Sequence, residues 1–318
     1  MSIPGCNWRN ANHDESAFRI YEAGAFGGCV VLSTLGPAVP RQIRSRYPNA
    51  LITARLYMGG PDLPPVYEAA WEWLPYIKDT WDVVDLYQVS NEPDILHPNV
   101  SPEAYCEWWI QAVDALREQT HDFPRCPLFG FPMPSIQGTS SWEYAKWCHY
   151  GILAADWIAE RGYWQEPWQM ESMYWGKRYE LSRAIWGGAR PIHLTEYGCS
   201  DASLSREERA RQYREYQRGL PGYIHSAHVF CMAGGTSEWD TLGFGVDTDL
   251  ARDMRVEEDN MPEYQVGEGI LNAMAVRGEA PVEDEHYVGD RESYCASEQA
   301  LYLYSKAANR VTRLPFLA

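Results

Sequence analysis

The stretch that decides the fold is Tyr87–Asp94, which reads YQVSNEPD. The apolar run Val83–Val89 has the composition of a buried strand, and Asn91-Glu92-Pro93 brings that strand to an end. Proline has no N–H and its ring fixes φ, so regular pairing cannot continue past it. The sequence therefore predicts a strand that presents the carboxylate of Glu92 at its carboxyl end.

A second carboxylate ends a later strand in the same way. Pro191–Ser200 reads PIHLTEYGCS, in which an apolar run stops at Thr195-Glu196-Tyr197-Gly198. In a (β/α)8 barrel the carboxyl ends of the strands converge on one face, so Glu92 and Glu196 are expected to meet there. Glycoside hydrolysis requires such a pair: one carboxyl protonates the leaving oxygen, and the other attacks the anomeric carbon or activates a water.

Short apolar strands alternate with helical segments along most of the chain. The candidate strands are Gly5–Trp8, Cys29–Thr34, Ala50–Met58, Val83–Val89, Pro127–Phe131, Trp168–Tyr174, Pro191–Glu196 and Ala227–Met232. The candidate helices are Pro65–Lys78, Ser101–Thr120, Ser205–Arg218 and Pro262–Arg277. Strands without polar alternation suit a parallel sheet that helices cover.

Two α/β architectures fit this alternation, a closed (β/α)8 TIM barrel and an open doubly wound sheet. A doubly wound nucleotide-binding fold needs a glycine-rich turn after an early strand, whereas Gly24, Gly27 and Gly28 precede a strand. We therefore predict a single (β/α)8 catalytic barrel over residues 1–278. Residues 279–318 are expected to form a short extension packed on the barrel, with a helix at Ser297–Ala308.

Composition excludes some classes of partner. A formal net charge of −17 and a pI near 4.9 disfavour binding to nucleic acid or to an anionic membrane surface. No stretch approaches the roughly 18 apolar residues that span a bilayer. The 14 Trp and 21 Tyr can line a cleft as well as a core, and a neutral carbohydrate suits both features.

The eight cysteines are scattered without a CxxC pair, which favours free thiols in a reducing compartment. The N-terminal sequence shows no secretory signal, so the expected location is cytoplasmic, or extracellular if a leader has been removed. The oligomeric state is left open.

The two strand-end motifs together resemble those of the clan A glycoside hydrolases, a superfamily of retaining (β/α)8-barrel glycosidases. Asn91-Glu92-Pro93 is similar to the clan motif at the end of strand four, and Thr195-Glu196-Tyr197-Gly198 to the motif at the end of strand seven. The resemblance implies that Glu92 is the general acid/base and Glu196 the nucleophile of a double displacement. It also implies that Asn91 binds the sugar 2-hydroxyl. From the residues themselves we expect no metal and no cofactor.

The clan pattern adds an aromatic hydroxyl on strand six and a Trp after strand eight. By that resemblance, Tyr174 is the candidate that orients the nucleophile, and Trp239 is the candidate floor of the sugar subsite. Trp175 is a further candidate for substrate stacking. Arg55 is an unusual cation in the apolar run LITARLYM, so it pairs either with a site carboxylate or within a structural ion pair. The usual Arg on strand two and His on strand three are missing, which leaves the exact family open.

Two functions remain compatible with these motifs. The first is hydrolysis of β-linked poly- or oligosaccharides by a retaining, endo-acting glycosidase, with endo action inferred from the density of Trp around the fifth and sixth strands. The second is a non-catalytic barrel that binds carbohydrate. A pure binder gains nothing from two buried carboxylates held close together, so the enzyme is favoured. The sugar and its linkage are not determined by the sequence.

Overall fold

A computed structural model describes residues 2–8, 15–58, 60–135, 146–186, 188, 190–201, 203–230 and 248–256, together with three strands between residues 292 and 315. The chain divides into two compact units, Met1–Glu257 and Glu258–Ala318. None of the helices in the described ranges combines the length and apolar character needed to cross a bilayer.

The first unit is a closed barrel of eight parallel strands that are hydrogen-bonded in sequence order, with the eighth returning to the first. The strands are β1 Ile3–Trp8, β2 Gly28–Leu32, β3 Leu51–Leu56, β4 Leu86–Val89, β5 Phe129–Pro132, β6 Trp157–Trp164, β7 Ile192–Cys199 and β8 Ile224–Val229. This arrangement confirms the predicted (β/α)8 fold.

Helices lie between successive strands. They are α1 Glu15–Ala23, α2 Ala38–Arg46, α3 Val66–Lys78, α4 Pro93–Leu96, α5 Pro102–Thr120, α6 His149–Ala154, α7 Pro167–Met170, α8 Arg178–Trp186, α9 Arg206–Gly219 and α10 Thr248–Asp253, and a short 3-10 turn covers Ser33–Leu35. Two helices start as the sequence predicts: the Ser101 hydroxyl accepts from the Ala104 N–H before α5, and the Ser205 hydroxyl accepts from the Glu208 N–H before α9.

The barrel interior changes character along its axis. Leu86, Trp157 and Ala159 form a small apolar cluster, with Leu51 packed against it. Two residues beyond Ala159 on β6, the side chain also faces the interior, since it contacts Asn91 and Glu196. That position holds Arg161, whose residue is 1% exposed. The interior is therefore apolar near the start of β6 and charged farther along it.

The pairing register shifts at two places that matter for the site. Between β6 and β7 the shift falls at Glu160/Arg161, and between β7 and β8 it falls between Leu194 and Tyr197. Bulges of this kind bend a strand and re-aim its side chains. After the first shift, Arg161 pairs with Glu196 across the β6–β7 ladder.

The predicted sixth strand, Trp168–Tyr174, is wrong. Trp168 belongs to the short helix α7, and the sixth strand is β6, Trp157–Trp164. The sequence of β6, WIAERGYW, places a Glu-Arg pair inside the strand, and adjacent charges are not expected in a buried strand. Both charges are nevertheless buried here because each has partners in the fold.

The second unit contains a three-stranded antiparallel sheet in the order β11-β10-β9, made of β9 Glu292–Ala296, β10 Ala300–Ser305 and β11 Arg310–Pro315. The helix predicted at Ser297–Ala308 is therefore wrong. ALYLYS alternates Leu and Tyr, and such β-favouring residues pair with strands on both sides. The predicted helix Pro262–Arg277 and the predicted boundary at residue 278 lie outside the described residues.

Candidate active site

Glu196 of β7 carries a buried carboxylate that is surrounded by donors from two other strands. Arg55 of β3, on the opposite side of the barrel, forms an ion pair with Oε1. Tyr163 of β6 donates its hydroxyl to Oε2 at 2.6 Å, and Nε of Arg161 lies 3.5 Å from the same oxygen. A buried carboxylate is tolerated only with such partners, and here they also fix its orientation.

Glu92 lies where β4 gives way to the short helix α4. Its φ of 32° and the φ of 67° at Ser90 lie in the left-handed region, which non-glycine residues rarely adopt. Among the described residues, Ala25 is the one other non-glycine residue with positive φ. Strained backbone of this kind persists where the surrounding structure holds it, and it is frequent at functional sites.

The Glu92 carboxylate faces the same centre as Glu196. Its Oε2 accepts a hydrogen bond of 3.0 Å from Nδ2 of Asn91, and its Oε1 lies 3.8 Å from Nε of Arg161. The Glu92 side chain is 24% exposed, whereas that of Glu196 is 4% exposed. The Arg161 guanidinium thus lies beside both carboxylates, and Glu92 is the carboxylate that solvent reaches.

Burial and charge act together on the titration of these groups. Burial, with Glu196 beside it, raises the pKa of the Tyr163 hydroxyl well above its ordinary value of 10.0, so Tyr163 stays a donor. Burial acts to lower the pKa of Arg161, but the charges of Glu92 and Glu196 outweigh it and raise that pKa. Burial lowers the pKa of Arg55 against the opposing effect of Glu196.

The structure answers the question that the sequence left open for Arg55. Its partner is Glu196, so the cation in LITARLYM pairs with the site carboxylate. Asn91 is also part of the site, through its bond to Glu92.

Two of the three aromatic residues that the sequence proposed for the site lie in a turn. Tyr174 lies in the turn after α7, not on a strand, and the hydroxyl on the sixth strand that reaches Glu196 belongs to Tyr163. Trp175 lies in the same turn, and the backbone N–H groups of Tyr174 and Trp175 hydrogen-bond to Ser172. Trp239 lies outside the described residues.

Sequence reasoning missed Arg161 and Tyr163 because it placed the sixth strand at Trp168–Tyr174 instead of Trp157–Trp164. A signal was present. Arg161 is a cation inside an otherwise apolar and aromatic run, the same feature that drew attention to Arg55. In a strand, residues two apart share a face, so Arg161 and Tyr163 point the same way.

The fold and the site together define a (β/α)8 barrel with two carboxylates at the carboxyl face of strands four and seven. Solved clan A glycoside hydrolases share this fold, and the likeness at this level of identity concerns the fold alone.

One such structure is a family 128 (subgroup II) endo-β-1,3-glucanase from Sorangium cellulosum, with a TM-score of 0.55, 14% identity, and coverage of 80% of this chain and 99% of that chain. A family 128 (subgroup I) endo-β-1,3-glucanase from Amycolatopsis mediterranei, solved with laminaripentaose, has a TM-score of 0.51, 15% identity, and coverage of 79% and 99%. A β-mannanase from Streptomyces thermolilacinus, solved with mannohexaose, has a TM-score of 0.53, 12% identity, and coverage of 79% and 84%. No protein-family model and no curated protein matches the sequence.

Proposed function

We propose that the protein is a retaining glycoside hydrolase that cleaves β-linked poly- or oligosaccharides. The observation that carries this proposal is that Glu92, just after β4, and Glu196, within β7, both approach Nε of Arg161, at 3.8 Å and 3.5 Å. In the proposed reaction, Glu196 attacks the anomeric carbon while Glu92 protonates the leaving oxygen. Glu92 then removes a proton from the water that hydrolyses the glycosyl-enzyme.

The surroundings of the two carboxylates suit these different roles. Arg55 and Tyr163 contact Glu196 and would keep it ionised and aligned for attack. Glu92 is the more exposed of the two, and it would exchange protons with the leaving group and with water. Asn91 would donate to the sugar 2-hydroxyl, and Trp175 and Trp239 are proposed to stack on sugar rings.

Substrate class is proposed from charge and from the neighbours. A chain with a net charge of −17 suits a neutral glycan better than an anionic one. Structures of similar fold include endo-acting enzymes on β-1,3-glucan and a mannanase. We therefore propose endo action on a neutral β-glycan, with β-1,3-glucan and β-mannan as the first substrates to test.

The test compares the wild type with Glu196→Gln, Glu92→Gln and the control Glu171→Gln. Glu171 is an exposed carboxylate that pairs with Lys177, so its loss should leave activity unchanged. Glu196→Gln should abolish release of reducing ends from every substrate. Glu92→Gln should abolish hydrolysis of polysaccharide. With aryl glycosides whose leaving group needs no proton it should release one burst of phenol and then turn over slowly, because hydrolysis of the glycosyl-enzyme still needs the base.

The same assay reports stereochemistry and mode of action. NMR of the first product should show the β-anomer, and the viscosity of the polymer should fall before many reducing ends appear. Full activity in Glu196→Gln would show that Glu196 is not the nucleophile. Oligosaccharide binding without turnover by the wild type would instead favour the carbohydrate-binding barrel.

A further inference from the structure

Consecutive residues of β6 send opposite charges to opposite faces of the barrel wall. Glu160 points toward the helices, where its Oε1 accepts from the Ser182 hydroxyl of α8, and its Oε2 accepts from the Arg161 backbone N–H at 3.0 Å. The guanidinium of Arg161 points into the barrel. The register shift between β6 and β7 falls between these two residues. The carboxylate therefore secures the backbone from which Arg161 reaches the site.

Arg161 divides its N–H groups among different partners. Nη2 donates to Oδ1 of Asn91, and Nη1 donates to the Met133 carbonyl at 2.6 Å. Nε faces Glu92 and Glu196. The guanidinium is a planar fork, so these directions are fixed relative to one another.

The carboxamide of Asn91 is held in one orientation by two donors. Its Oδ1 accepts from Arg161 and also from Nε2 of Gln88, at 3.1 Å in the second case. A carboxamide oxygen has two lone pairs, so both are occupied. Exchanging its oxygen and nitrogen would place the NH₂ against two further donors, which would leave buried N–H groups without acceptors. The NH₂ must therefore point toward Glu92, where Nδ2 donates to Oε2 at 3.0 Å.

We propose that Arg161 is a positioning residue that acts with Gln88 to fix the Asn91 carboxamide, so that its NH₂ always faces the Glu92 carboxylate and the bound sugar. Asn91 is then a donor alone at this position, because its oxygen is fully used. The part of the proposal that concerns the sugar rests on the proposed function. The orientation of the amide does not.

The first test is a double-mutant cycle between Arg161→Lys and Asn91→Ala. Lysine keeps the cation between the carboxylates but loses the fork that reaches Asn91. We expect Arg161→Lys to lower kcat/KM about 10- to 100-fold, which corresponds to the loss of one hydrogen bond from a charged donor. If Arg161 acts through Asn91, Arg161→Lys should cause no comparable loss when Asn91 is already alanine, and independent effects in the double variant would overturn the proposal.

Arg178 provides the matched control. It is buried like Arg161, and its Nη2 donates at 2.6 Å to the Pro134 carbonyl, which follows the Met133 carbonyl held by Arg161. Arg178→Lys therefore reproduces the loss of a buried guanidinium and of a bond to the same segment, without touching Asn91. Its effects on kcat/KM should add to those of Asn91→Ala.

A second readout is independent of activity. The side-chain amide signal of Asn91 is identified in ¹H–¹⁵N spectra by its disappearance in Asn91→Ala. It should shift in Arg161→Lys and in Gln88→Leu and stay in place in Arg178→Lys. Gln88→Leu keeps the test decisive if Arg161→Lys does not fold. A shifted amide signal in a protein that turns over no glycoside would reject the proposed function and keep the positioning role, whereas an unmoved signal would reject the positioning role.

Discussion

Among single residues, Glu196 shows most clearly how a buried charge becomes usable. Its carboxylate is removed from water, and Arg55, Arg161 and Tyr163 replace that water with fixed donors. These contacts have different consequences for stability and for catalysis. The ion pair with Arg55 offsets the cost of burial, whereas the neutral hydroxyl of Tyr163 mainly sets the direction of one oxygen.

Tyr163→Phe should lower kcat/KM about 10- to 100-fold, because it removes a hydrogen bond to a charged group at the proposed nucleophile. The melting temperature should fall only modestly, since the ring remains packed edge-on against Phe230 and Arg55 still pairs with Glu196. Steady-state kinetics and calorimetry check both points. Tyr174→Phe is the control and should behave as the wild type. A larger loss in Tyr174→Phe would restore the assignment made from the sequence.

Arg55→Met should reduce the free energy of unfolding by about 3–5 kcal/mol, because it removes the cation that pairs with Oε1 of the buried Glu196 carboxylate. Adding Glu196→Gln removes that charge, so the double variant should regain part of the lost stability. Chemical denaturation measures both values. A double variant less stable than Arg55→Met would show that the ion pair does not dominate at this position.

At the scale of elements, the site depends on irregular strand ends and bulges. β4 is followed by left-handed residues at Ser90 and Glu92, and the pairing of β6 with β7 shifts register at Glu160/Arg161. Regular strands would aim alternate side chains inward at fixed spacing, and these interruptions change that aim. The regular parts of the neighbouring strands must therefore pack closely enough to hold the irregular parts in place.

Gly130 of β5 is one point of such close packing. A Cβ at this position would lie 2.2 Å from the Trp157 indole of β6. Gly130→Ala should therefore destabilise the protein by about 1–3 kcal/mol, because the indole must move within a packed interior. Gly222→Ala is the control, since a Cβ there would meet nothing within 4 Å. Equal unfolding free energies for the two variants would contradict the packing argument.

For the whole molecule, acid stability should follow from imidazoles that the barrel buries in neutral form. Burial, and then the charge of Arg55, lowers the pKa of His228 to about 3. Burial also lowers the pKa of His193 well below its ordinary value of 6.5. Ser226 joins the two rings through its hydroxyl, at 2.8 Å from His193 and 2.9 Å from His228.

The sign of the pH effect follows from these shifts. As pH falls below 6.5, His228 becomes protonated in the unfolded chain, whereas in the folded protein it stays neutral until about pH 3. His228 therefore lowers stability by up to about 1.4 kcal/mol per pH unit across this window. His228→Gln should show a shallower loss of stability between pH 6 and pH 4 than the wild type, measured by urea unfolding. Parallel curves would show that His228 does not contribute.

Some parts of the site could be predicted from local sequence and others could not. Glu92 and Glu196 were found because each ends an apolar run, a signal that lies within a few residues. Arg55 was found because a cation in such a run is unusual. Arg161 is also a cation in an apolar run, but the adjacent charge of Glu160 made this run look unlike a buried strand. Glu160 can be buried because it bonds to Ser182, which lies 22 residues away along the chain. Arg161 bonds to Asn91, which lies 70 residues away.

The sequence by itself determined the alternation of strands and helices, the two carboxylates that follow apolar runs, and the starts of α5 and α9. These depend on hydrophobic runs, proline and short-range capping, which act between near neighbours. Tertiary structure alone decided that Tyr163 reaches Glu196, that Arg55 meets Glu196 across 141 residues, and that Arg161 lies beside both carboxylates. The reason is barrel closure, which brings distant strands together and repays the burial of charge only where their side chains meet.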